Sequence, residues 1–194
     1  MTRLFDFFCA LIGILLLSPL FLLISIGIVM DSGFPVFYLQ DRVGKNFRSF
    51  KLMKFRTMTN NADKSGLLTI GEDSRITKIG SFLRKYKLDE FPQLFNVLKG
   101  EMALVGPRPE VKKYVDLYNE SQRKVLDVRP GITDLASIEY LDENELLGKS
   151  ENPEKTYIEE VMPHKLDINL KYMAHRSFFK NIGVLLKTVF SILR

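Results

Sequence analysis

Phe7-Phe-Cys-Ala-Leu-Ile-Gly-Ile-Leu-Leu-Leu-Ser-Pro-Leu-Phe-Leu-Leu-Ile-Ser-Ile-Gly-Ile-Val-Met30 carries no charge over about 24 positions, and about 20 apolar residues suffice for a helix to cross a bilayer core. The segment has to meet lipid. It is longer than the apolar core of a cleavable signal peptide and runs on into Asp31-Ser32-Gly33, so it reads as retained. Ser18-Pro19 interrupts its middle, where proline removes a backbone donor and crowds the preceding turn. Two arrangements follow: a kinked single-pass anchor, or a re-entrant hairpin that dips into one leaflet and returns. Arg42, Lys45, Arg48, Lys51, Lys54 and Arg56 place the downstream side in the cytoplasm, and Arg3 argues weakly for the same side at the N-terminus. The residues alone leave both arrangements open.

The 194 residues hold one sizeable core, or a smaller core plus a membrane element. A formal net charge of +5 favours anionic partners: nucleic acid, lipid headgroups or a phosphorylated substrate. The single cysteine, Cys9, excludes an intramolecular disulfide and points to a reducing compartment for the folded part. With His164 and His175 it makes too few soft ligands for structural zinc, so any metal is expected to be a hard cation held by oxygen.

Beyond the apolar run the pattern is α+β and mostly helical. Residues 36–40 and 47–55 have strand character, and residues 60–74 read as loop. Ile76, Ile79, Phe82, Leu83 and Tyr86 recur at helical spacing, which predicts a helix to about Lys87 with Arg84 near its end. A shorter helix follows, with Asp89 or Glu90 as its cap, Pro92 in its first turn, Leu94, Phe95 and Leu98 as its buried stripe, and Gly100 as its stop. Pro107 and Pro109 exclude helix around Arg108 and hold it on a stiff loop. Helical patterning returns over residues 110–128, breaks at residues 129–133, and restarts at Asn152-Pro153 and near Pro163. The last stretch sets Phe178, Phe179, Ile182, Leu185, Leu186, Val189, Phe190 and Leu193 on one helical face. It suits either a core cap or a helix lying among headgroups.

The adjacent acids Asp89 and Glu90 stand among Arg84, Lys85, Lys87, Lys99 and Arg108. A carboxylate at a helix N-terminus is held ionised by the dipole and by backbone donors, and it can then cap, bind magnesium or attack phosphorus. Taken singly, each of these residues has an ordinary explanation: a cap, a loop salt bridge, a solvated basic face. Paired acids, a proline-braced arginine and a lipid-embedded segment in one small chain point instead to phosphate chemistry at a membrane.

Lys54-Phe-Arg-Thr-Met58, Leu88-Asp-Glu-Phe-Pro-Gln-Leu-Phe-Asn-Val-Leu-Lys-Gly100, Val105-Gly-Pro-Arg-Pro-Glu110 and Arg129-Pro-Gly-Ile-Thr133, preceded by Ser18-Pro19, resemble the bacterial sugar transferases, the monotopic phosphoglycosyl transferases. The resemblance spans most of the chain in order and matches the family's minimal catalytic unit. It implies a re-entrant membrane helix-hairpin over residues 1–33. A small cytoplasmic catalytic domain over residues 34–194 would follow, ending in an interfacial amphipathic helix from about residue 177. The implied location is the cytoplasmic face of the bacterial inner membrane.

The implied reaction moves a sugar 1-phosphate from a UDP-sugar to polyprenol phosphate and releases UMP, as the first membrane step of glycoconjugate synthesis. Asp89 matches the attacking aspartate, and Glu90 its neighbour. Both are implied in holding Mg²⁺, with Lys54, Arg56, Arg84, Arg108 and Arg129 as phosphate-binding cations and Pro107-Arg108-Pro109 as the nucleotide grip. Implied partners are the donor, the acceptor and membrane lipid, with downstream glycosyltransferases as further candidates and no nucleic acid. The family often continues Pro-Gly-Ile-Thr with glycine, whereas this chain has Asp134-Leu-Ala-Ser-Ile-Glu-Tyr140, so the sugar stays open. The competing class is a membrane-anchored scaffold that binds anionic lipids or partner enzymes through its basic strip.

Overall fold

The computed structural model describes residues 2–60, 62 and 73–192. The fold is mostly helical with two small two-stranded sheets. Helix α1 (Thr2–Ser32) runs through Pro19 without interruption. Beside that proline, the Ser18 hydroxyl donates to the Leu15 carbonyl at 2.8 Å.

Both ends of α1 are fastened to one body. Near its start Arg3 donates to the carbonyls of Val97 and Leu98 at 2.6 and 2.9 Å. At its end Asp31 accepts the Ile79 N–H at 3.0 Å, and the Ser32 carbonyl and hydroxyl accept from Arg56, each at 2.9 Å. Between these anchors Ala10 packs with Leu52, Val97 and Met102, while Phe21, Ile24 and Ile28 pack with Phe55 and Leu83. Leu15, Leu16, Leu22 and Leu23 stay exposed, so α1 buries one apolar side and bares another.

Strands β1 (Phe37–Val43) and β2 (Ser49–Phe55) form an antiparallel hairpin in which Phe37 faces Phe55 and Val43 faces Ser49. The two-residue side-chain period puts Tyr38, Gln40 and Arg42 on the same face as Lys54, and Phe37 and Leu39 on the other. Helix α2 (Lys78–Lys85) is shorter than its periodicity suggested, because the Thr77 hydroxyl accepts the Gly80 N–H and caps it. The loop expected over residues 60–74 lies largely outside the described residues.

The acid pair does not cap a helix. Asp89 and Glu90 lie in a 3₁₀ turn, Leu88–Glu90, and α3 (Gln93–Lys99) starts after Pro92 with no side chain capping it. Gly100 ends α3 at φ 85°, as a left-handed stop should. The side of α3 that is fully buried is Gln93, Asn96 and Val97, with Leu94, Phe95 and Leu98 only partly covered. Asn96 is tolerated there because it bonds the Met53 N–H, the Lys51 carbonyl and Glu101 at 3.0, 2.8 and 2.7 Å.

Strand β3 (Ala103–Val105) pairs in parallel with β4 (Gly131–Thr133), so the predicted break at residues 129–133 contains a short strand. The two chains meet at glycines, and a β-carbon on Gly131 would stand 2.1 Å from the Gly106 nitrogen. Gly131→Ala is expected to cost roughly 3 kcal/mol, read as a lower denaturation midpoint in detergent.

Residues 110–128 form two short helices, α4 (Lys112–Val115) and α5 (Glu120–Arg123), and a 3₁₀ turn, Lys124–Asp127. Then come α6 (Leu135–Glu139), α7 (Glu143–Gly148) and α8 (Pro153–Thr156), which Asn152 caps. A π-helical turn, Tyr157–Val161, leads into α9 (Met162–Ala174). Helix α10 (Phe178–Ile192) turns Asn181 and Val184 inward and leaves Phe179, Leu186, Val189 and Phe190 exposed. Leu193 lies outside the described residues.

Candidate active site

Asp89 and Glu90 line a cavity of about 660 Å³ together with Lys54, Arg84 and Arg108. Four segments deliver these side chains: β2, the end of α2, the 3₁₀ turn, and the loop after β3. Such a volume suits a small-molecule site.

The two acids have different surroundings. Glu90 is held by two cations: Lys54 at 3.0 Å on Oε1, and Arg108, whose Nη1 meets Oε2 at 3.1 Å and whose Nη2 also meets Oε1. Burial alone would push the Glu90 carboxyl up, but Arg108 and Lys54 more than reverse this and hold it well below the usual carboxylate range. The same contact raises the Arg108 guanidinium above its ordinary value. The charged form of Glu90 is thus favoured by its two partners.

Asp89 is buried and faces the same cavity, yet among the described residues it makes no hydrogen bond or ion pair. Burial pushes its carboxyl above the usual range, with Lys54 opposing and the Glu90 charge adding to the rise. At a helix N-terminus Asp89 would be held ionised by the dipole and backbone donors. The structure shows burial acting the other way, because the carboxylate caps no helix. Lys54 is pushed below the ordinary lysine range by burial, with Glu90 partly restoring it. Burial also lowers Arg84, whose Nε–H donates to the Thr57 hydroxyl at 2.9 Å.

Not every predicted cation reaches the cavity. Arg56 is buried and bonds the carbonyls of Ser32, Gly33 and Phe34 together with Asn60, so it closes the end of α1. Arg129 donates to the Gly100 carbonyl at 2.9 Å, beyond the C-terminus of α3, and does not line the cavity. Pro107 and Pro109 lie with Arg108 along a small pocket shared with Tyr118 and Pro130. Ser18 and Pro19 are not in the cavity wall, but the adjacent Leu17 is.

Other residues in the wall and behind it carry no motif signal in the sequence. Arg42 donates to Gln40 at 3.0 and 2.8 Å, to the Pro109 carbonyl at 2.9 Å and to Glu110 at 3.0 Å, and Tyr157 donates to Glu110. Arg42, in the sequence one member of a basic series, reaches the wall because the β1–β2 register sets it on the same face as Lys54. Asp134, fully buried, accepts the Arg108 N–H at 2.7 Å through one oxygen and caps α6 through the other, at 2.6 Å from the Ser137 nitrogen. A second part of the wall is apolar: Leu17 of α1, Leu94 of α3, Leu104, Ile132, and Leu185 and Val189 of α10. The cavity wall therefore combines cationic and apolar side chains.

The model of a family described as bacterial sugar transferase matches residues 1–194. A UDP-N-acetylgalactosamine-undecaprenyl-phosphate N-acetylgalactosaminephosphotransferase of Aeromonas hydrophila is 36% identical over 97% of this chain and 42% of its own length. The sugar transferase EpsL of Bacillus subtilis is 37% identical over 100% of this chain and 87% of its own. A UDP-glucose:undecaprenyl-phosphate glucose-1-phosphate transferase of Xanthomonas campestris is 34% identical over 97% of this chain and 38% of its own. The chain thus spans less than half the length of two of these relatives and most of the third.

Proposed function

The chain belongs to the bacterial sugar transferase family, and on that premise we propose that it transfers a sugar 1-phosphate from a UDP-sugar to polyprenol phosphate, with Asp89 as nucleophile. The observation that carries this reading is the contrast within the acid pair. Glu90 is locked between Lys54 and Arg108, whereas Asp89 faces the same cavity with no hydrogen bond or ion pair among the described residues.

An Asp89 oxygen bonds to the β-phosphorus as the bond from that phosphorus to the bridging oxygen breaks, and this oxygen leaves with UMP. An oxygen of polyprenol phosphate then bonds to the same phosphorus, the Asp89–phosphorus bond breaks, and the carboxylate is regenerated. No net proton is consumed. Arg108, Lys54 and Arg84 surround the reacting phosphates with positive charge, the main service a protein gives to phosphoryl transfer. Glu90 sets the positions of two of these cations. The apolar wall from Leu17 to Val189 suits the lipid acceptor, whose phosphate would meet the cationic side chains.

Magnesium fits this arrangement in a limited way. Among the described residues no group of three His, Cys, Asp or Glu could hold a metal alone. Both Glu90 oxygens are engaged, so Asp89 would hold the ion, with donor phosphates and water completing the shell as is usual for Mg²⁺. Bound there, it would neutralise charge on the diphosphate oxygens.

We propose further that α1 is re-entrant and bends at Ser18-Pro19. Its single apolar stretch is long enough to cross a membrane. Yet Arg3 at one end and Asp31 and Ser32 at the other are bonded to the same domain, which a helix crossing a core of about 30 Å could not combine. The catalytic domain would then sit at the cytoplasmic face.

The test is a UMP-release assay on detergent- or nanodisc-borne protein across a panel of UDP-sugars. Multiple-turnover release of UMP is expected from at least one donor, and only when polyprenol phosphate and Mg²⁺ are both present; without the acceptor, release stops at one UMP per site. Absence of release from every donor would remove the reading in favour of a scaffold.

A further inference from the structure

We propose that the outward face of the β1–β2 hairpin is a second membrane-docking surface, lying on an anionic bilayer beside α1. The inference rests on α1 being membrane-embedded and is independent of which reaction the cavity performs.

An antiparallel hairpin with one packed face normally turns polar residues to water on the other. Here the inward face carries Gln40, Arg42 and Lys54 into the cavity, while the outward face presents Phe37 and Leu39 at 38% and 50% exposure. This apolar strip continues from α1. Phe34, 73% exposed, follows α1 by two residues, and the Phe37 ring stacks 5.4 Å from Phe55, which itself packs edge-on against Phe21 of α1. The strip therefore begins beside the end of α1, which covers Phe55 on this face and leaves Phe37 and Leu39 open, with the exposed Asp41–Lys51 ion pair beyond them.

The far end of the hairpin gives the second observation. Phe47, 53% exposed, sits in the turn at φ 60°, next to Asn46 at φ 54°. Glycine or asparagine fills such a left-handed position at little cost, whereas a bulky aromatic ring is disfavoured there. Burial inside the protein does not offset that cost. Lys45 and Arg48 flank the ring, and both are exposed. An aromatic tip between two cations matches the interfacial zone of a membrane, where rings sit at headgroup depth and basic groups meet lipid phosphates. Charge thus selects an anionic lipid surface over a second copy of this basic chain, whose like charges would oppose each other at the tip.

The chain contains no tryptophan, so a single introduced one reports its own surroundings. Leu39→Trp and Phe47→Trp would be placed in nanodiscs of phosphatidylcholine and phosphatidylglycerol with brominated acyl chains, and Leu16→Trp, on the exposed side of α1, serves as reference. All three are expected to lose about half of their emission or more relative to unbrominated discs, as residues buried about 5–10 Å below the surface should. Adding Lys45→Glu and Arg48→Glu should relieve the quenching at position 47 and leave position 39 quenched. Quenching at Leu16→Trp alone, with the hairpin reporters open to aqueous iodide, overturns the proposal. So does iodide shielding at position 39 that needs two copies per disc, which would make the face a contact between chains. An unquenched Leu16→Trp overturns it together with the membrane reading of α1.

Discussion

Asp89→Asn is expected to reduce UMP release by at least about 10³-fold, the scale of losing a nucleophile, while the protein keeps its fold and its membrane association. Asparagine matches aspartate in shape, and Asp89 has no partner among the described residues to lose. Burial already disfavours its charge, so the neutral amide should leave the melting temperature unchanged or slightly raised. Wild-type protein incubated with labelled donor alone should retain a protein-bound phosphosugar and release one UMP per site; the variant should do neither. Activity within about tenfold of wild type would falsify the nucleophile assignment, since a positioning role costs far less than a broken covalent route.

Glu90→Gln should cost about 10²-fold in kcat/KM, and its mark is a displaced pH profile. In the wild type Asp89 must be ionised to attack. Its carboxyl is raised by burial and further by the Glu90 charge, so activity falls as pH drops through that raised value. Lys54 must stay charged to stabilise the phosphates. It is lowered by burial and partly restored by Glu90, so activity falls again as pH rises through that lowered value. Removing the Glu90 charge takes away one influence raising Asp89 and one raising Lys54. Both limbs should therefore move toward acid, translating the bell rather than narrowing it. Stability should fall by roughly 2 kcal/mol, less than for a fully buried pair because the Arg108 side chain is 34% exposed. A profile that loses height without moving would show that Glu90 does not set these charges.

Much of the fold was legible because it depends on local rules. Strand character marked the two segments that the structure pairs as a hairpin, the Asn152 cap and the Gly100 stop fall where the residues place them, and the prolines keep helix away from Arg108. The short parallel pair β3–β4 was not legible, because three-residue strands carry no period and their partner is about 28 residues away. The capping of α3 was misread for a similar reason. Asp89 and Glu90 have the right chemistry for a cap, but a turn and Pro92 separate them from the first helical residue.

Within the site the sequence showed which residue types were present but not which of them meet. Lys54, Arg84 and Arg108 converge on the acid pair, while Arg56 and Arg129, equally basic and in equally distinctive motifs, bond backbone carbonyls instead. Nothing in their sequence neighbours distinguishes the two groups, because an arginine reaches whatever acceptor the packing brings near. Arg42 enters the wall through the β1–β2 register, and Asp134, behind the wall, meets the Arg108 backbone 26 positions away.

By itself the sequence determined the apolar helix, the two strand-forming segments, the stiff arginine loop and the family, since each is written in local composition or in contiguous motifs. Only the tertiary structure decided that both ends of the apolar helix bind one domain, and that Glu90 is paired with two cations while Asp89 has no such partner among the described residues. The reason is physical: the charge state and freedom of a carboxylate depend on what surrounds it in space, and Lys54 and Arg108 reach Glu90 from 36 and 18 residues away.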